Sequence, residues 1–152
     1  MKILLDTNVL TRMAEPGHTQ YQVALDATDV LGKQGHDLVV VPQVIYEFWV
    51  VCTRPKQQNG LGRSATEAER ELASIQSFFS LIADNDLIFN AWKTLVRTAQ
   101  IVGKNAHDAR LVAAMEVHKI THFLTFNDKD FNRYQAITVL RPDIIAGPPV
   151  TP

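Results

Sequence analysis

The chain begins with an unbroken apolar run, residues 3–5, that leads directly into the polar residues Asp6, Thr7 and Asn8. A strand buried on both faces of a parallel sheet has such a continuous apolar sequence. In open α/β sheets, ligands bind beyond the carboxyl ends of the strands, which is where Asp6 is expected. The same polar residues are also good helix N-caps, so this segment alone favours a functional carboxylate and a helix cap about equally.

The rest of the sequence alternates between strand and helix patterns, which is typical of a parallel sheet covered by helices. We predict further strands at residues 38–41, 81–83, 122–125 and 137–140, the second of these being weak. Predicted helices span residues 19–34, 43–53, 64–80, 84–102 and 105–117. The expected fold is α/β, with a central, mostly parallel sheet of four to five strands and helices on both faces. Residues 1–141 would form this single domain, and residues 142–152, which contain four prolines, a flexible tail.

Composition excludes several classes of protein. With 152 residues, 46% hydrophobic and 20% charged, the chain is long enough for one globular domain and too polar for a membrane protein. Its single cysteine, Cys52, and the absence of a signal-peptide pattern at the N-terminus predict a cytoplasmic location. The formal net charge of −1 provides no overall attraction for nucleic acid, so a nucleic-acid ligand would require local basic residues or a bound metal.

Four oxygen-bearing side chains are expected at one edge of the sheet. Asp6 and Asn127 each follow a predicted strand, Asp108 lies in the first turn of a helix, and Glu47 lies one turn into the helix after the second strand. Glu47 falls at the margin of an apolar stripe, where an unpaired carboxylate is costly. Gathered carboxylates repel one another until a cation such as Mg²⁺ or Mn²⁺ neutralises them. The sequence therefore predicts a divalent metal site.

Each acid also has a structural explanation. Asp108 follows Asn105 by three residues, as in a capping box, and Glu47 is able to pair with Arg12 or Arg110. Asp128 and Asp130 resemble ordinary turn acids, and we interpret His107 as a packing or capping residue. The histidines and the one cysteine lack zinc spacing, and no GxGxxG, Walker or GxSxG motif is present. Only the joint placement of the acids favours function.

Four segments, taken together, resemble the PIN-domain nucleases and in particular the VapC-like toxins of prokaryotic toxin-antitoxin pairs. These segments occur in the family's order and span most of the chain: residues 4–10, 44–47, 107–114 and 124–131. The resemblance implies a PIN-like domain that cleaves RNA with Mg²⁺ or Mn²⁺, a cognate antitoxin, a homodimer and no association with membranes.

Carried over residue by residue, the resemblance implies metal ligands at Asp6, Glu47, Asp108 and Asn127, with Asp130 as a further catalytic candidate. Family members often have aspartate at the position of Asn127. Thr7, Asn8 and Thr125 would orient the acids through hydrogen bonds. Basic side chains expected to contact RNA phosphates, or else to form a solvated face, are Arg12, Lys93, Arg97, Lys104 and Arg110.

Two other classes of function remain as alternatives. A phospho-acceptor receiver domain also gathers acids at strand ends, but Asp6 has no acidic neighbour on its strand, and Thr125 is not followed by the lysine that such a domain uses. A catalytically inactive PIN-like module that binds RNA or a protein partner would keep the same side chains. Metal-dependent RNA cleavage that is lost in Asp108→Ala would distinguish the enzyme from the inactive module.

Overall fold

Five parallel strands form a single sheet in the computed structural model, which describes residues 1–148. The strands are β1 (Lys2–Leu5), β2 (Asp37–Val40), β3 (Ser80–Leu81), β4 (His122–Leu124) and β5 (Thr138–Leu140), in the spatial order β3-β2-β1-β4-β5. The helices are α1 (Thr7–Met13), α2 (Tyr21–Lys33), α3 (Pro42–Thr53), α4 (Ala65–Phe78), α5 (Leu87–Thr98), α6 (Asn105–Val117), α7 (Asp128–Phe131) and α8 (Pro142–Ala146). This architecture confirms the predicted α/β fold, and every pair of adjacent strands is parallel.

The central strand β1 is buried on both faces. Ile3, Leu4 and Leu5 are all fully buried although neighbouring side chains of a strand point to opposite faces, so helices must cover both sides of the sheet. Leu5 is in register with Leu124 of β4, and the amide of Asp6 donates to the carbonyl of Leu124 at 3.0 Å. The residues that follow β1 and β4 therefore emerge side by side at the carboxyl edge of the sheet.

The helices begin where the sequence offers suitable caps. The carboxylate of Asp6 accepts from the amide of Thr7 at the start of α1, and Pro42 occupies the first turn of α3. Ser64 and Glu67 form a capping box at the start of α4. No helix in the described part of the chain combines the length and the apolar character needed to cross a membrane.

The structure differs from the sequence predictions mainly at the edge strand β3, at the ends of α5 and near the C-terminus. The weak strand lies at Ser80–Leu81 rather than at 81–83, and α5 is shorter than predicted because it starts at Leu87 and ends at Thr98. The first part of the predicted flexible tail is instead helix α8, which packs against α2 and buries Pro142. The prediction that the tail is unpacked is therefore wrong for residues 142–146, whereas residues 149–152 lie outside the described part of the chain.

Candidate active site

Asp6 is the most constrained acid of the carboxyl edge. It is only 8% exposed, and one carboxylate oxygen accepts from the amide of Thr7 at 2.7 Å. The other oxygen accepts from the Thr125 hydroxyl at 2.6 Å and from the side-chain amide of Asn8 at 3.1 Å. Asp6 is thus both a helix cap and a buried carboxylate, so the two interpretations of this residue are compatible.

Thr125 connects the ends of the two central strands. Its fully buried hydroxyl donates to Asp6 and accepts from the side chain of Asn8 at 3.1 Å and from the backbone amide of Asn127 at 2.9 Å. Asn8 in turn accepts from the amide of Phe126 at 3.2 Å. Since the hydroxyl has both an acceptor and two donors around it, Thr125 holds the Asp6 carboxylate and the chain leading to Asn127 in one arrangement.

Glu47 is half-buried on α3 and is oriented by uncharged groups. Its two carboxylate oxygens accept from the Thr7 hydroxyl and from the Gln43 side-chain amide, each at 3.1 Å. The side chain of Gln43 is itself buried; its amide nitrogen also donates to the backbone carbonyl of His107 at 2.8 Å, and its oxygen accepts from Arg110 at 3.0 Å. Gln43 therefore links Glu47 to the first turn of α6, next to Asp108.

Asp108 and the Asn127–Asp130 pair lie closer to solvent. Asp108 is half-buried in the first turn of α6, while Asn127 and Asp130 are exposed and joined by a 2.8 Å hydrogen bond from the Asn127 amide. Asn105 belongs to α6 itself, and α6 lacks a side-chain cap, so the capping-box explanation of Asp108 is wrong. Asp128 faces a different partner, Arg141, at 3.7 Å.

The negative charges of these acids act on one another. Burial raises the pKa of Asp6 to about 6, against the hydrogen bonds from Thr125 and Thr7, and the charges of Glu47 and Asp108 add to the increase. The pKa of Asp108 is also raised, first by burial and then by Asp130 and Glu47, although His107 and Lys104 act in the opposite direction. Both carboxyls are therefore in surroundings that disfavour their negative charge.

The acids line one open cleft of about 1120 Å³, whose walls include Asp6, Glu47, Asp108 and Asn127. Within residues 1–148, no group of three Asp, Glu, His or Cys side chains is gathered tightly enough to form a complete metal site. The chemistry of the side chains nevertheless fits Mg²⁺ or Mn²⁺, since Mg²⁺ is usually held by one or two carboxylates and keeps several water ligands. Asp6 and Asp108, with their raised pKa values, are the carboxylates that a cation would stabilise most.

Only some of the basic residues that were predicted to contact RNA lie at the cleft. Arg12 lines the cleft, where it pairs with Glu15 and Gln20, and Lys104 is close enough to Asp108 to lower its pKa. Lys93 and Arg97 are exposed on α5 and do not line this cleft. Arg110 is bound to Asp84 and Gln43, and neither Arg12 nor Arg110 forms an ion pair with Glu47 among the described residues.

Sequence reasoning missed two features of the cleft. The first is Gln43. Its spacing of four residues from Glu47 was a local signal for their hydrogen bond, but its bonds to His107 and Arg110 cross more than sixty residues and have no local signal. The second is the basic segment that lines the cleft with Arg54, Lys56 and Arg63. A signal for it was present, because Arg54 directly follows α3 and comes seven residues, about two helical turns, after Glu47.

Comparison with known proteins identifies the family. Residues 3–137 match the PIN domain, and the chain therefore belongs to the PIN domain family. This membership argues against the receiver-domain alternative. No protein with a curated description matches the sequence significantly.

Several solved structures share the fold. VapBC2 from Rickettsia felis, bound to a DNA fragment from its promoter, aligns with a TM-score of 0.68 and 16% identity over 93% of this chain and 98% of that chain. VapC20 from Mycobacterium tuberculosis, a toxin that cleaves the sarcin-ricin loop, aligns with a TM-score of 0.63 and 18% identity over 87% and 95%. FitAcB from Neisseria gonorrhoeae aligns with a TM-score of 0.64 and 20% identity over 92% and 97%. At these identities the likeness concerns the fold.

Proposed function

We propose that this protein is a metal-dependent endoribonuclease that hydrolyses RNA phosphodiester bonds. The observation that carries the proposal is that Asp6, Glu47 and Asp108, from three separate elements of a PIN domain, line one cleft together with Asn127. The raised pKa of Asp6 supports it, because a buried carboxylate beside two other acids gains most from a cation. Asp6, Asp108, Glu47 and Asn127 are the proposed ligands.

Each residue has a distinct part in the proposed mechanism. A bound Mg²⁺ or Mn²⁺ supplies a lowered pKa for a coordinated water and compensates the negative charge that develops on the phosphate. Asp6 and Asp108 would hold the cation, with the side-chain oxygen of Asn127 as a neutral ligand. Glu47, fixed by Thr7 and Gln43, would complete the metal site through the attacking water, which it would orient and whose proton it would accept. The P–O3′ bond would break as the water attacks, and the 3′-oxygen would leave as a hydroxyl protonated from solvent.

The surrounding side chains keep these groups in position. Thr125 and Asn8 hold the inner oxygen of Asp6, so that the carboxylate is oriented before a cation arrives. The hydrogen bond from Asn127 to Asp130 uses the amide nitrogen, which leaves the amide oxygen as the atom suited to a cation. Asp130 would thus act through Asn127 or through a water molecule.

We further propose that the protein is the toxin of a toxin-antitoxin pair and acts in the cytoplasm. Structures of similar fold include a toxin-antitoxin complex from Klebsiella pneumoniae and the VapBC2 complex with promoter DNA. The proposed partners are an RNA substrate, a cognate antitoxin and a second copy of the chain.

The direct test is cleavage of labelled RNA by purified protein with Mg²⁺, with Mn²⁺ and with a chelator. We expect cleavage only with metal, products with 5′-phosphate and 3′-hydroxyl ends, and loss of activity in Asp108→Ala. Cyclic phosphate ends would contradict hydrolysis by an activated water, since they arise from attack by the 2′-hydroxyl of the RNA itself. Activity that is unchanged in Asp108→Ala would exclude the proposed site.

A catalytically inactive binding module is the second candidate. It is favoured by the neutral Asn127 and by the lack of a complete three-residue metal site within residues 1–148. Such a module would bind RNA or a protein partner with the same affinity in the presence and absence of Mg²⁺. Absence of cleavage with both metals, together with metal-independent RNA binding, would establish this alternative.

A further inference from the structure

One wall of the cleft is formed by residues 54–63, which we call the basic loop. It follows α3 and contributes Arg54, Lys56 and Arg63 to the lining of the cleft that also contains Asp6 and Glu47. We propose that the basic loop binds a phosphate group of the RNA strand next to the one that is cleaved. This inference rests on the proposed function, which it extends by assigning the path of the substrate.

The basic loop is held rigidly against the end of α3. The amides of Leu61, Gly62 and Arg63 each donate at 2.9 Å to carbonyls of residues 51, 54 and 52, respectively. These bonds satisfy carbonyls that the helix end would otherwise leave unpaired. The loop is also anchored by Leu61, which is buried in the hydrophobic core.

The close packing of the loop depends on Gly60. A Cβ atom at this position would lie 1.9 Å from the carbonyl oxygen of Arg54, so no other residue fits without a shift of the backbone. The amide of Gly60 donates to the carbonyl of Pro55 at 3.0 Å, which closes the turn. The basic side chains are therefore presented by a preorganised backbone, which reduces the entropy lost when a ligand binds.

Two charges of this wall have no acidic partner. Arg63 pairs with Glu71 and Arg12 with Glu15, whereas neither Arg54 nor Lys56 forms an ion pair within residues 1–148. The Nε atom of Arg54 is buried without a hydrogen-bond partner in the same range. One terminal nitrogen of the Arg54 guanidinium donates to the carbonyl of Asn59 at 3.2 Å, a neutral partner that leaves its charge unbalanced. An anion in the cleft would balance the charges of Arg54 and Lys56, and the phosphate of a nucleic acid is the anion that a nuclease cleft receives.

The spacing along α3 separates this contact from the reacting phosphate. Glu47 lies on α3 and Arg54 directly follows the last residue of this helix, seven residues further on, which corresponds to about 10 Å along the helix axis at about 1.5 Å per residue. A strand cleaved beside Glu47 would thus place a neighbouring phosphate against Arg54 and Lys56.

The charge of the whole chain makes such a local contact necessary. The net charge is −1, and the acids of the cleft themselves repel RNA, so attraction must come from cations beside them. The exposed Lys93 and Arg97 do not line this cleft, whereas the basic loop does. The loop is consequently the favoured surface for the substrate backbone.

The test is the affinity of a fluorescein-labelled single-stranded RNA, measured by anisotropy with a chelator present, so that binding is read without cleavage. We expect Lys56→Gln to weaken binding about threefold at low salt. The slope of log affinity against log salt should become about 0.7 less steep between about 50 mM and 200 mM salt. Lys56→Arg should bind as the original protein does.

The matched control is Lys2→Gln. Lys2 is also exposed but begins β1 at the amino edge of the sheet, so the same loss of charge occurs on the side opposite the cleft. This variant should keep both the affinity and the salt slope. Equal effects of Lys2→Gln and Lys56→Gln would overturn the inference, because they would indicate a response to net charge alone.

Cleavage kinetics separate this inference from the proposed function. Lys56→Gln should raise KM while leaving kcat nearly unchanged, because the contact is the same in substrate and transition state.

If the original protein cleaves RNA and Lys56→Gln binds it equally well, the loop inference fails and the proposed function stands. If nothing is cleaved but Lys56→Gln still weakens RNA binding selectively, the loop inference stands and the nuclease proposal fails. If Lys56→Gln binds RNA as the original protein does but no longer binds an acidic protein partner, the inference would also be overturned, because the basic loop would then be a protein-binding surface.

Discussion

The two ends of the proposed metal site differ in how firmly they are held. At one end, Asp6 is buried and accepts hydrogen bonds from Thr7, Asn8 and Thr125. At the other end, Asn127 and Asp130 are exposed, and their side chains are held chiefly by each other. Groups that are held before binding lose little freedom when a ligand arrives, whereas exposed groups must be ordered at that moment.

This difference indicates that the two ends of the site have different roles within one cleft. The Asp6 end is set by folding itself, because Thr125 and Leu124 tie it to the neighbouring strand. The Asn127 end is able to adjust to the substrate and to the cation. We therefore expect the same chemical change to have a large effect at the buried end and a small effect at the exposed end.

The largest effect is expected for Asp6→Asn. The substitution removes the best-held negative ligand, so kcat/KM for labelled RNA should fall about a thousandfold, equivalent to about 4 kcal/mol of transition-state stabilisation. Circular dichroism should show an intact fold, since the side chain keeps its shape. A decrease of less than about tenfold, equivalent to about 1.4 kcal/mol, would mean that Asp6 is not a main ligand.

The pH dependence of stability should also single out Asp6. The pKa of Asp6 is raised from 3.8 to about 6 in the folded protein, so folding favours the neutral carboxyl group. The contribution of this group to the stability of the fold is therefore fully present below about pH 4. That contribution is lost as the pH rises through about 6. In metal-free buffer, the unfolding free energy of the protein relative to Asp6→Asn should therefore fall by up to about 3 kcal/mol between about pH 4 and 7.

Chemical denaturation of the two proteins at a series of pH values measures this difference. A relative free energy of unfolding that stays constant or rises over the same range would contradict the burial of an ionisable group at this position.

Removal of the Thr125 hydroxyl should mainly affect stability. Thr125→Val keeps the shape of the side chain but leaves a buried oxygen of Asp6 with one hydrogen bond fewer and the amide of Asn127 without its acceptor. We expect a loss of about 2 kcal/mol, measured by urea denaturation. Thr125→Ser, which keeps the hydroxyl, should lose clearly less, and equal losses in the two variants would assign the effect to packing.

Gln43→Met should produce a smaller, functional effect. It removes the donor that orients Glu47 and the link to His107, while retaining a side chain of similar size. We expect about a tenfold lower kcat with little change in KM, because Gln43 acts through Glu47. A variant with an altered KM alone would show that Gln43 does not position Glu47 for catalysis.

Asp130→Asn should have the smallest effect, less than about tenfold in kcat/KM, because an exposed carboxylate is already compensated by solvent. This is the same chemical change as Asp6→Asn and serves as its matched control. Equal losses at the two positions would remove the distinction between a buried and an exposed end.

The central strands were predictable because burial on both faces leaves an unmistakable apolar run, as in residues 3–5 and in β2. Strand ends then point to Asp6 and Asn127, since parallel strands place their carboxyl ends at one edge. Asp108 follows from its position in the first turn of α6. The identity and order of these elements were therefore accessible without coordinates.

The remaining features depend on contacts between distant segments. Arg110 meets Gln43 across 67 positions of sequence, and no local pattern reveals that pairing. Helix α8 is only five residues long and is stabilised by packing against α2 rather than by its own propensity, so its proline-rich sequence resembled a tail. The position of the basic loop beside the cleft was likewise not predicted, because its return along α3 depends on backbone hydrogen bonds.

We propose that the carboxyl edge of the sheet gathers Asp6, Glu47 and Asp108 around a divalent cation. Diffraction from crystals soaked in Mn²⁺, recorded where manganese scatters anomalously, tests it most directly. We expect an anomalous peak within coordinating distance of Asp6 and Asp108, and its loss in Asp6→Asn crystals. The absence of a peak in this cleft, with or without a peak elsewhere on the molecule, would show that these side chains do not bind the cation.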